Sequence, residues 1–294
     1  MDEMLCYEGT NVLVNKCNIR NREDLEKAES DLMILATGIL EEEPFFLSAH
    51  YYYSIHKELF GKLYEWAGTP RKMHMAKQDP VLFGRSVAYS NPEDIDDELA
   101  EVFERLREYD WDSMDEEEFI RYLVSETPAI WKVHPFREGN TRTYGTFLNL
   151  MCRSYGFVLD KDRIKNNAEY FRDSLVLAVD EFAKDNNHLY RILSDSISKN
   201  RDRTRKSIYE SILSNIEKSS PTRKYSRKTE SVYYDHELVT DMDEYKKKQA
   251  SIAIPTKENI QAYMEKNYNL PNDTTYDRSR EHIENPIEYN PMDR

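Results

Sequence analysis

Apolar residues along the first two-thirds of the chain recur mostly at steps of three and four positions, the spacing of one face of an α-helix. The pattern predicts helices over residues 22–41, 48–66, 92–109, 115–130, 141–156, 166–183 and 187–199. Polar residues alternate with these apolar positions, so each helix has one face suited to a core. The sequence therefore predicts a mainly α-helical domain.

Asparagine and proline residues mark where several of these helices begin and end. Asn21 stands in the cap position of the first helix. Asn91, Pro92 and Glu93 give the third helix a cap, a first-turn proline and an acid near its positive end. Pro128 is expected to end or kink the fourth helix, because proline lacks the backbone N–H that the helix interior needs.

One segment has a different pattern. In PVLFGRSVAY, residues 80–89, β-branched and aromatic residues flank Gly84-Arg85, which predicts two short strands joined by a tight turn. The predicted architecture is a helical domain with one exposed β-hairpin.

The last third of the chain differs in composition from the rest. All eight glycines lie at or before Gly156, whereas five of the eleven prolines lie at or beyond Pro221. This asymmetry predicts a folded domain with an N-terminal lead over 1–199 and a C-terminal extension over 200–294. Within the extension we expect a helix to about Ser219, a linker over 219–231, a helix over 256–268 and disorder from Leu270.

Charge and composition exclude several classes of protein. A net charge of −14 argues against tight binding to a nucleic-acid backbone. No segment approaches the roughly 20 apolar residues that cross a bilayer, and the acidic start MDEMLCYEGT does not resemble a signal peptide. Cys6, Cys17 and Cys152 lack metal-ligand spacing and are expected to be reduced thiols. We expect a cytoplasmic protein, or an exported effector without a cleaved signal, with neither nucleic-acid nor membrane partners.

The stretch VHPFREGNTRTYGTF, residues 133–147, concentrates the candidate chemistry. Gly139-Asn140 lies between two helical patterns, where the chain must turn sharply. A helix beginning near Thr141 directs unpaired backbone N–H groups into that turn, which suits the turn to phosphate binding. Arg142, one turn into the helix, can add a bidentate contact to phosphoryl oxygens.

An acid and a base flank this predicted anion site. Glu138 would repel a bare anion, but it could hold Mg²⁺ together with the phosphates. His134 supplies a base that can be tuned near neutral pH. A base, a metal ligand and a phosphate site together indicate nucleotidyl or phosphoryl transfer.

The string from His134 to Arg142 resembles the Fic motif, HPFx(D/E)GNGRxxR. Three further pieces are similar to the same family in the same order. The first, YEGTNVLVNKCNIRNREDLEKAE, is similar to the family's N-terminal lead, and the second, AHYYYSIHKELFGKLYEWAGTPR, is similar to its helix that ends in WAG. The third, VLFGRSVAYSNPEDI, is similar to the family's target-positioning flap. The resemblance covers roughly residues 5–200 and implies a Fic-type helical domain with a β-hairpin flap.

The resemblance also implies a function: Mg²⁺-dependent transfer of AMP from ATP to a Tyr, Ser or Thr hydroxyl of a target protein. It gives His134 the role of general base and Glu138 that of Mg²⁺ ligand. Gly139, Asn140 and Thr141 would surround the phosphates, and Arg142 would bind the β- or γ-phosphate. Five flap residues would pair their backbone with the target: Leu82, Phe83, Gly84, Arg85 and Ser86.

Two positions depart from the motif. Thr141 replaces a glycine, and Gly145 stands where the second arginine, which helps to orient the γ-phosphate, is expected. Two alternative hypotheses therefore remain beside AMP transfer. One is another phosphoryl or nucleotidyl transfer, and the other is a catalytically impaired binding module. The Glu138-Gly139-Asn140 loop favours AMP transfer.

The family's inhibitory motif, (S/T)xxxE followed by G or N, has no full match. Residues 37–41 and 226–230 have the spacing without the following residue. This absence fits a toxin that has a separate antitoxin or inhibitor protein, or an effector regulated in another way.

Other residues that could be mistaken for site residues are expected to be structural. His50 and His56 lie on the second predicted helix, where packing or surface positions are favoured over metal ligation. Trp66, Trp111 and Trp131 are predicted to be core residues.

Overall fold

The computed structural model describes residues 6–199, 237–239 and 241–268. The helices of these ranges are α1 (Arg22–Leu40), α2 (Ala49–Phe60), α3 (Ile95–Arg107), α4 (Glu116–Glu126), α5 (Pro128–Val133), α6 (Asn140–Ser154), α7 (Lys161–Asn166), α8 (Ala168–Val179), α9 (Asn187–Ser196), α10 (Met242–Ser251) and α11 (Lys257–Asn267). The prediction of a mainly α-helical domain is confirmed. None of the helices in these ranges is both long and apolar enough to cross a membrane.

The described strands are short and form two antiparallel pairs. Strand β1 (His74–Ala76) pairs with β4 (Glu237–Val239), and β2 (Phe157–Leu159) pairs with β3 (Ile197–Lys199). The β1–β4 pair joins the part of the chain before residue 199 to the part after residue 237. It therefore lies across the predicted domain boundary.

Helix α6 lies at the centre of the core, in contact with α2, α5 and β2. Most of its residues are buried, as expected for a helix covered on several sides. The largest fully buried side chains nearby are aromatic: Trp131, Tyr52, Tyr64, Tyr144, Phe60, Phe103, Phe119, Phe136 and Phe147. The core thus fixes α6, and with it the motif at its N-terminus.

Two of the predicted helix boundaries follow the predicted residues, but the cap predicted at Asn91 is wrong: α3 begins at Ile95, with Asp94 in the cap position. The Asn21 side chain accepts a hydrogen bond from the Asp24 N–H at 3.1 Å and begins α1. Pro128 separates α4 from α5, so the predicted single helix over 115–130 is interrupted where the proline stands. Asp180, with extended backbone, ends α8 earlier than the predicted residue 183.

The predicted hairpin over 80–89 is wrong. We call residues 73–90, between α2 and α3, the flap. Within it, Pro80–Leu82 form a 3-10 turn, and Phe83 and Gly84 follow with φ of 56° and 91°. Two successive left-handed residues fold the chain back on itself too tightly for a strand ladder. The strand of the flap is β1, which precedes the stretch that the pattern indicated.

The C-terminal extension includes the one helix predicted at 256–268. Helix α11 begins with a capping box between Thr256 and Asn259, which confirms that prediction. The helix predicted to Ser219, the linker over 219–231 and the disorder from Leu270 lie outside the described residues. The division at residue 199 remains a prediction.

Candidate active site

His134 ends helix α5 in a strained conformation. Its backbone has φ 51° and ψ 56°, which is uncommon for a residue with a side chain and persists only where the surroundings hold it. The ring stacks on Tyr89 of the flap, with ring centroids 4.0 Å apart, and Trp131 meets it edge-on at 5.4 Å. His134 is only 2% exposed, so the side chain of Tyr89 helps to cover the candidate base.

Arg71 holds this loop in place. Its Nε donates to the carbonyl of His134 at 2.9 Å, and its backbone N–H donates to the carbonyl of Pro135 at 2.7 Å. The other guanidinium nitrogens donate to the carbonyls of Met73 and Ser90, at the two ends of the flap. Burial lowers the pKa of Arg71 to about 10. Arg71 was not predicted from the sequence as a site residue, although it directly follows the WAGTP string of the second matching piece.

Internal hydrogen bonds fix the turn between His134 and α6. The Asn140 side chain accepts from the Phe136 N–H at 2.9 Å and donates to the Phe136 carbonyl at 2.7 Å. His56 Nδ1 accepts from the Gly68 N–H at 2.8 Å, and Nε2 therefore carries the proton that is donated to the Glu138 carbonyl at 3.0 Å. The amide side chain of Asn140 is thus used within the loop, and His56 is a packing residue.

Burial lowers the pKa of His56 to about 3, because the charged imidazolium would lose its hydration in this position. The neutral ring stacks on Phe136, with centroids 3.7 Å apart. An uncharged histidine therefore packs against the turn between His134 and α6.

Gly139 is required by two features of the turn. Its φ is 83°, and a Cβ at this position would lie 2.6 Å from the ring of Phe60. Helix α6 begins at Asn140, and the Thr143 N–H makes the first bond back to the Gly139 carbonyl at 2.9 Å. The amides of Asn140 and Thr141 precede that bond, so they belong to the anion-binding end of the helix.

Acidic side chains contact this end of α6. The Glu138 carboxylate accepts from the Gly139 N–H at 2.9 Å and lies 3.6 Å from Nη2 of Arg142. Nη1 of Arg142 is paired with the buried carboxylate of Glu29 on α1, which also accepts from the Tyr64 hydroxyl. The sequence predicted Glu138 and Arg142 but missed Glu29. The sequence signal for Glu29 was an acidic residue on the buried face of α1, whose other buried residues are apolar.

The two departures from the motif have different surroundings. The Thr141 hydroxyl accepts from the indole N–H of Trp131 at 3.0 Å, so this threonine satisfies a buried donor. Gly145 has space: the nearest atom to an added Cβ is in the Phe171 ring at 4.0 Å. A larger side chain at position 145 would therefore meet little resistance at its first carbon.

Buried ion pairs fix the flap to α8 and the residue that follows it. Arg172 lies 2.8 Å from Asp79, and Arg85 lies 3.5 Å from Asp180. Lys77, just after β1, is buried, and burial lowers its pKa to about 6. Of these residues, only Arg85 was predicted from the sequence.

The flap residues predicted to pair with a target backbone have other partners. The amides of Leu82, Phe83, Gly84 and Arg85 donate within the turn, and the Ser86 N–H donates to Gln249 Oε1 at 3.0 Å. Leu82, Arg85 and Ser86 are buried, whereas Phe83 is half exposed. The strand edge within the flap is provided by β1, and pairing of residues 82–86 with a target backbone stays a prediction.

Mg²⁺ is the metal that the sequence implies, and the donor set fits it. Among the described residues no group of three or more His, Cys, Asp or Glu side chains could form an all-protein metal site. The Glu138 carboxylate contacts the N–H of Gly139, the first backbone amide of the proposed phosphate site. Mg²⁺ at nucleotide sites typically takes one or two carboxylates, and phosphate and water oxygens complete its shell.

A helix N-terminus with a base on one side and a carboxylate on the other is suited to binding a nucleoside polyphosphate. Comparison with known proteins agrees with a nucleotide-binding site of this kind. The sequence profile of the Fic/DOC family matches residues 46–152. The probable protein adenylyltransferase y4lH of Sinorhizobium fredii (strain NBRC 101917 / NGR234) is 30% identical over 178 residues, which are 60% of this chain and 88% of that protein. The chain belongs to the Fic/DOC family.

Other relatives are similar over part of their length. The protein adenylyltransferase VbhT of Bartonella schoenbuchensis is 30% identical over 173 residues, which are 54% of this chain and 34% of VbhT. Among solved structures, BepC of Bartonella tribocorum with bound AMPPNP has a TM-score of 0.53 at 21% identity, covering 66% of this chain and 96% of that one. The N-terminal Fic domain of a Bep effector from Bartonella quintana has a TM-score of 0.57 at 21% identity, covering 73% and 99%. These structures share the fold.

Proposed function

We propose that this chain is a protein adenylyltransferase, which transfers AMP from ATP to a hydroxyl side chain of a target protein. The observation that carries the proposal is that a base, a carboxylate and the N-terminus of α6 lie within one turn, from His134 to Arg142. The named activity of the relatives y4lH and VbhT supports it. So does the AMPPNP bound in BepC.

In the proposed reaction, the target hydroxyl oxygen forms a bond to the α-phosphorus of ATP. The bond from that phosphorus to the bridging oxygen of the β-phosphate breaks, and pyrophosphate leaves. The hydroxyl proton goes to His134, because histidine is the group in this turn that can accept it near neutral pH. Since Tyr89 covers the ring of His134, the flap must shift this side chain when a target binds.

The remaining residues of the turn bind the nucleotide. The amides of Gly139, Asn140 and Thr141 would donate to phosphate oxygens, and Arg142 would bind the β- or γ-phosphate. Glu138 would hold Mg²⁺, which when bound neutralises charge on the phosphates. The carboxylate would then exchange its present contact with the Gly139 N–H for the metal.

The test is incubation with ATP labelled at the α- or the γ-phosphate, followed by measurement of label on protein. We expect α-label only, and loss of at least a hundredfold in His134→Ala with ATP affinity retained, because the base is removed and the phosphate site is not. His50→Ala is the matched control, because His50 is an exposed histidine on α2. Transfer of γ-label would indicate phosphate transfer instead.

Gly145 favours one second candidate, a binding module with impaired catalysis. The arginine that would orient the γ-phosphate is replaced by a residue without a side chain. In that case the wild-type protein would bind ATP and transfer no label of either kind. If the enzyme is active, Glu138→Gln should sharply weaken the dependence of transfer on Mg²⁺.

A further inference from the structure

The edge of β1 is occupied by the chain's own C-terminal extension. Strand β4 pairs antiparallel with β1 in the register His74 to Val239 and Ala76 to Glu237. In the part of the chain that the structure describes, this pair forms a two-stranded sheet with no third strand. An incoming extended segment that pairs with this edge would need the same N–H and C=O groups of β1 that β4 uses.

Helix α10 continues the contact onto the turn of the flap. Tyr245 and Gln249 are four residues apart, hence on one face of the helix. The Gln249 side chain accepts from the Ser86 N–H at 3.0 Å, and the Ser86 side chain moderates the raised pKa of Tyr245. The side chain of Gln249 thus satisfies the one amide of residues 82–86 that does not donate within the turn itself.

Helix α11 anchors the extension. Ile260 and Met264, one turn apart, are buried. The ring of Tyr263 lies edge-on to Phe83, with centroids 6.3 Å apart, and the Tyr268 hydroxyl donates to Asp173 at 2.7 Å. By contrast, α10 buries no residue fully. The strand and α10 should therefore detach more readily than α11.

We propose that β1 and residues 79–86 form a docking surface for an extended segment followed by a helix, and that residues 237–239 and 241–268 occupy this surface in cis. A target protein then gains access by displacing these residues. The identity of the displacing partner as the hydroxyl-bearing target rests on the proposed function. The surface itself rests on the strand register, the contacts of Ser86 and the burial of Met264.

The first experiment detaches the anchor in the full-length chain. Met264→Asp places a charge where a fully buried side chain stands, whereas Ala262→Asp places the same charge at an exposed position of the same helix. Hydrogen exchange measured by mass spectrometry should be about tenfold faster over residues 74–76 and at Ser86 in Met264→Asp. It should be unchanged in Ala262→Asp, and α6 should stay protected in both.

The second experiment refills the surface. A fluorescein-labelled synthetic peptide of residues 237–268 should bind Met264→Asp and restore slow exchange over residues 74–76. It should bind wild type and Ala262→Asp at least tenfold more weakly, because there the tethered segment competes at a high effective concentration. If exchange over residues 74–76 is unchanged even in the double variant Ile260→Asp, Met264→Asp, or if the released surface does not bind the peptide, the proposal is overturned.

Transfer of label from α-labelled ATP distinguishes a failure of the docking-surface proposal from a failure of the proposed AMP transfer. Transfer to added proteins of a bacterial extract should rise several-fold in Met264→Asp and fall again when the peptide is added. Equal transfer by Met264→Asp and Ala262→Asp, with exchange showing release, would overturn the competition with a target. Peptide binding as expected, with no transfer by any variant, overturns AMP transfer and supports the docking surface.

Discussion

Glu29 and Arg142, on helices α1 and α6, form an ion pair beside the proposed phosphate site. The Glu29 carboxylate is buried, and the guanidinium of Arg142 lies over the ring of Phe60 at 4.7 Å. The pair fixes the direction of Arg142. It also places a negative charge close to where ATP would bring several more.

Replacing Glu29 by glutamine should therefore strengthen ATP binding. The variant keeps a hydrogen-bonding side chain but removes the charge that competes with phosphate for Arg142. We expect a gain of about 1 kcal/mol, which is about fivefold in the dissociation constant, measured by calorimetric titration. The free energy of unfolding should fall by about 1 to 3 kcal/mol, because Arg142 and Tyr64 lose a charged partner.

The matched control is Glu26→Gln on the same helix. Glu26 pairs with Arg22, one turn away, and this pair is far more exposed than that of Glu29. Unchanged or weaker ATP binding by a folded Glu29→Gln protein would show that Arg142 is not a nucleotide ligand.

Gly145→Arg should also strengthen ATP binding. Position 145 lies three residues beyond Arg142 on α6, and the structure leaves room for its Cβ. A well-formed contact with the γ-phosphate contributes about 1.5 to 3 kcal/mol. Gly145→Ala is the control, because it shares the gain in helix stability of about 1 kcal/mol without adding a charge. Equal ATP affinity of the two variants would mean that position 145 does not face the nucleotide.

Thr141→Gly restores the residue that the motif expects, and we predict that it destabilises this protein. The change removes the acceptor of the Trp131 indole N–H, which would be left buried without its partner. The loss is about 1 to 3 kcal/mol in the free energy of unfolding, with roughly 0.3 kcal/mol more because glycine is a somewhat poorer helix former than threonine. Urea denaturation measures it. Thr141→Ser keeps the hydroxyl and should lose much less; equal losses would remove the hydrogen bond as the cause.

The stability of the domain should fall as pH decreases below about 6.5, partly through His56. Its pKa is about 3 in the folded protein and 6.5 in the unfolded chain, so at acid pH the unfolded chain binds the additional proton. This contribution is intact above pH 6.5 and declines by about 2.5 kcal/mol between pH 6 and pH 4. Chemical denaturation of His56→Gln should lack this part of the slope. The exposed His50→Gln should keep it; identical slopes in wild type and His56→Gln would contradict the assignment.

The sequence predicted the helices well because their apolar spacing and caps are local. Asn21 and Pro128 act on the residues beside them, and α1, α4 and α5 begin or end there. The flap was mistaken because Phe83 and Gly84 can form either a hairpin turn or a compact reversal. In the structure the buried pair of Arg172 and Asp79 holds the compact reversal, and its members are 93 positions apart.

The candidate site was predicted where its residues are contiguous and missed where they are not. His134 to Arg142 could be read as one string, and the structure places them in one turn. Glu29 and Arg71 act on that turn from distant positions, through an ion pair and through backbone carbonyls. The β4 strand had no signal, because three residues beside an edge do not form a periodic pattern.

Arg71 gives the molecule a mechanical property. One guanidinium donates to the carbonyls of His134, Met73 and Ser90, so the histidine and both ends of the flap are held by a single side chain. A displacement of the flap would be transmitted to the backbone of His134 through these hydrogen bonds of Arg71. Displacement of the extension from the flap by a partner would thus be coupled, through this one residue, to the position of the base.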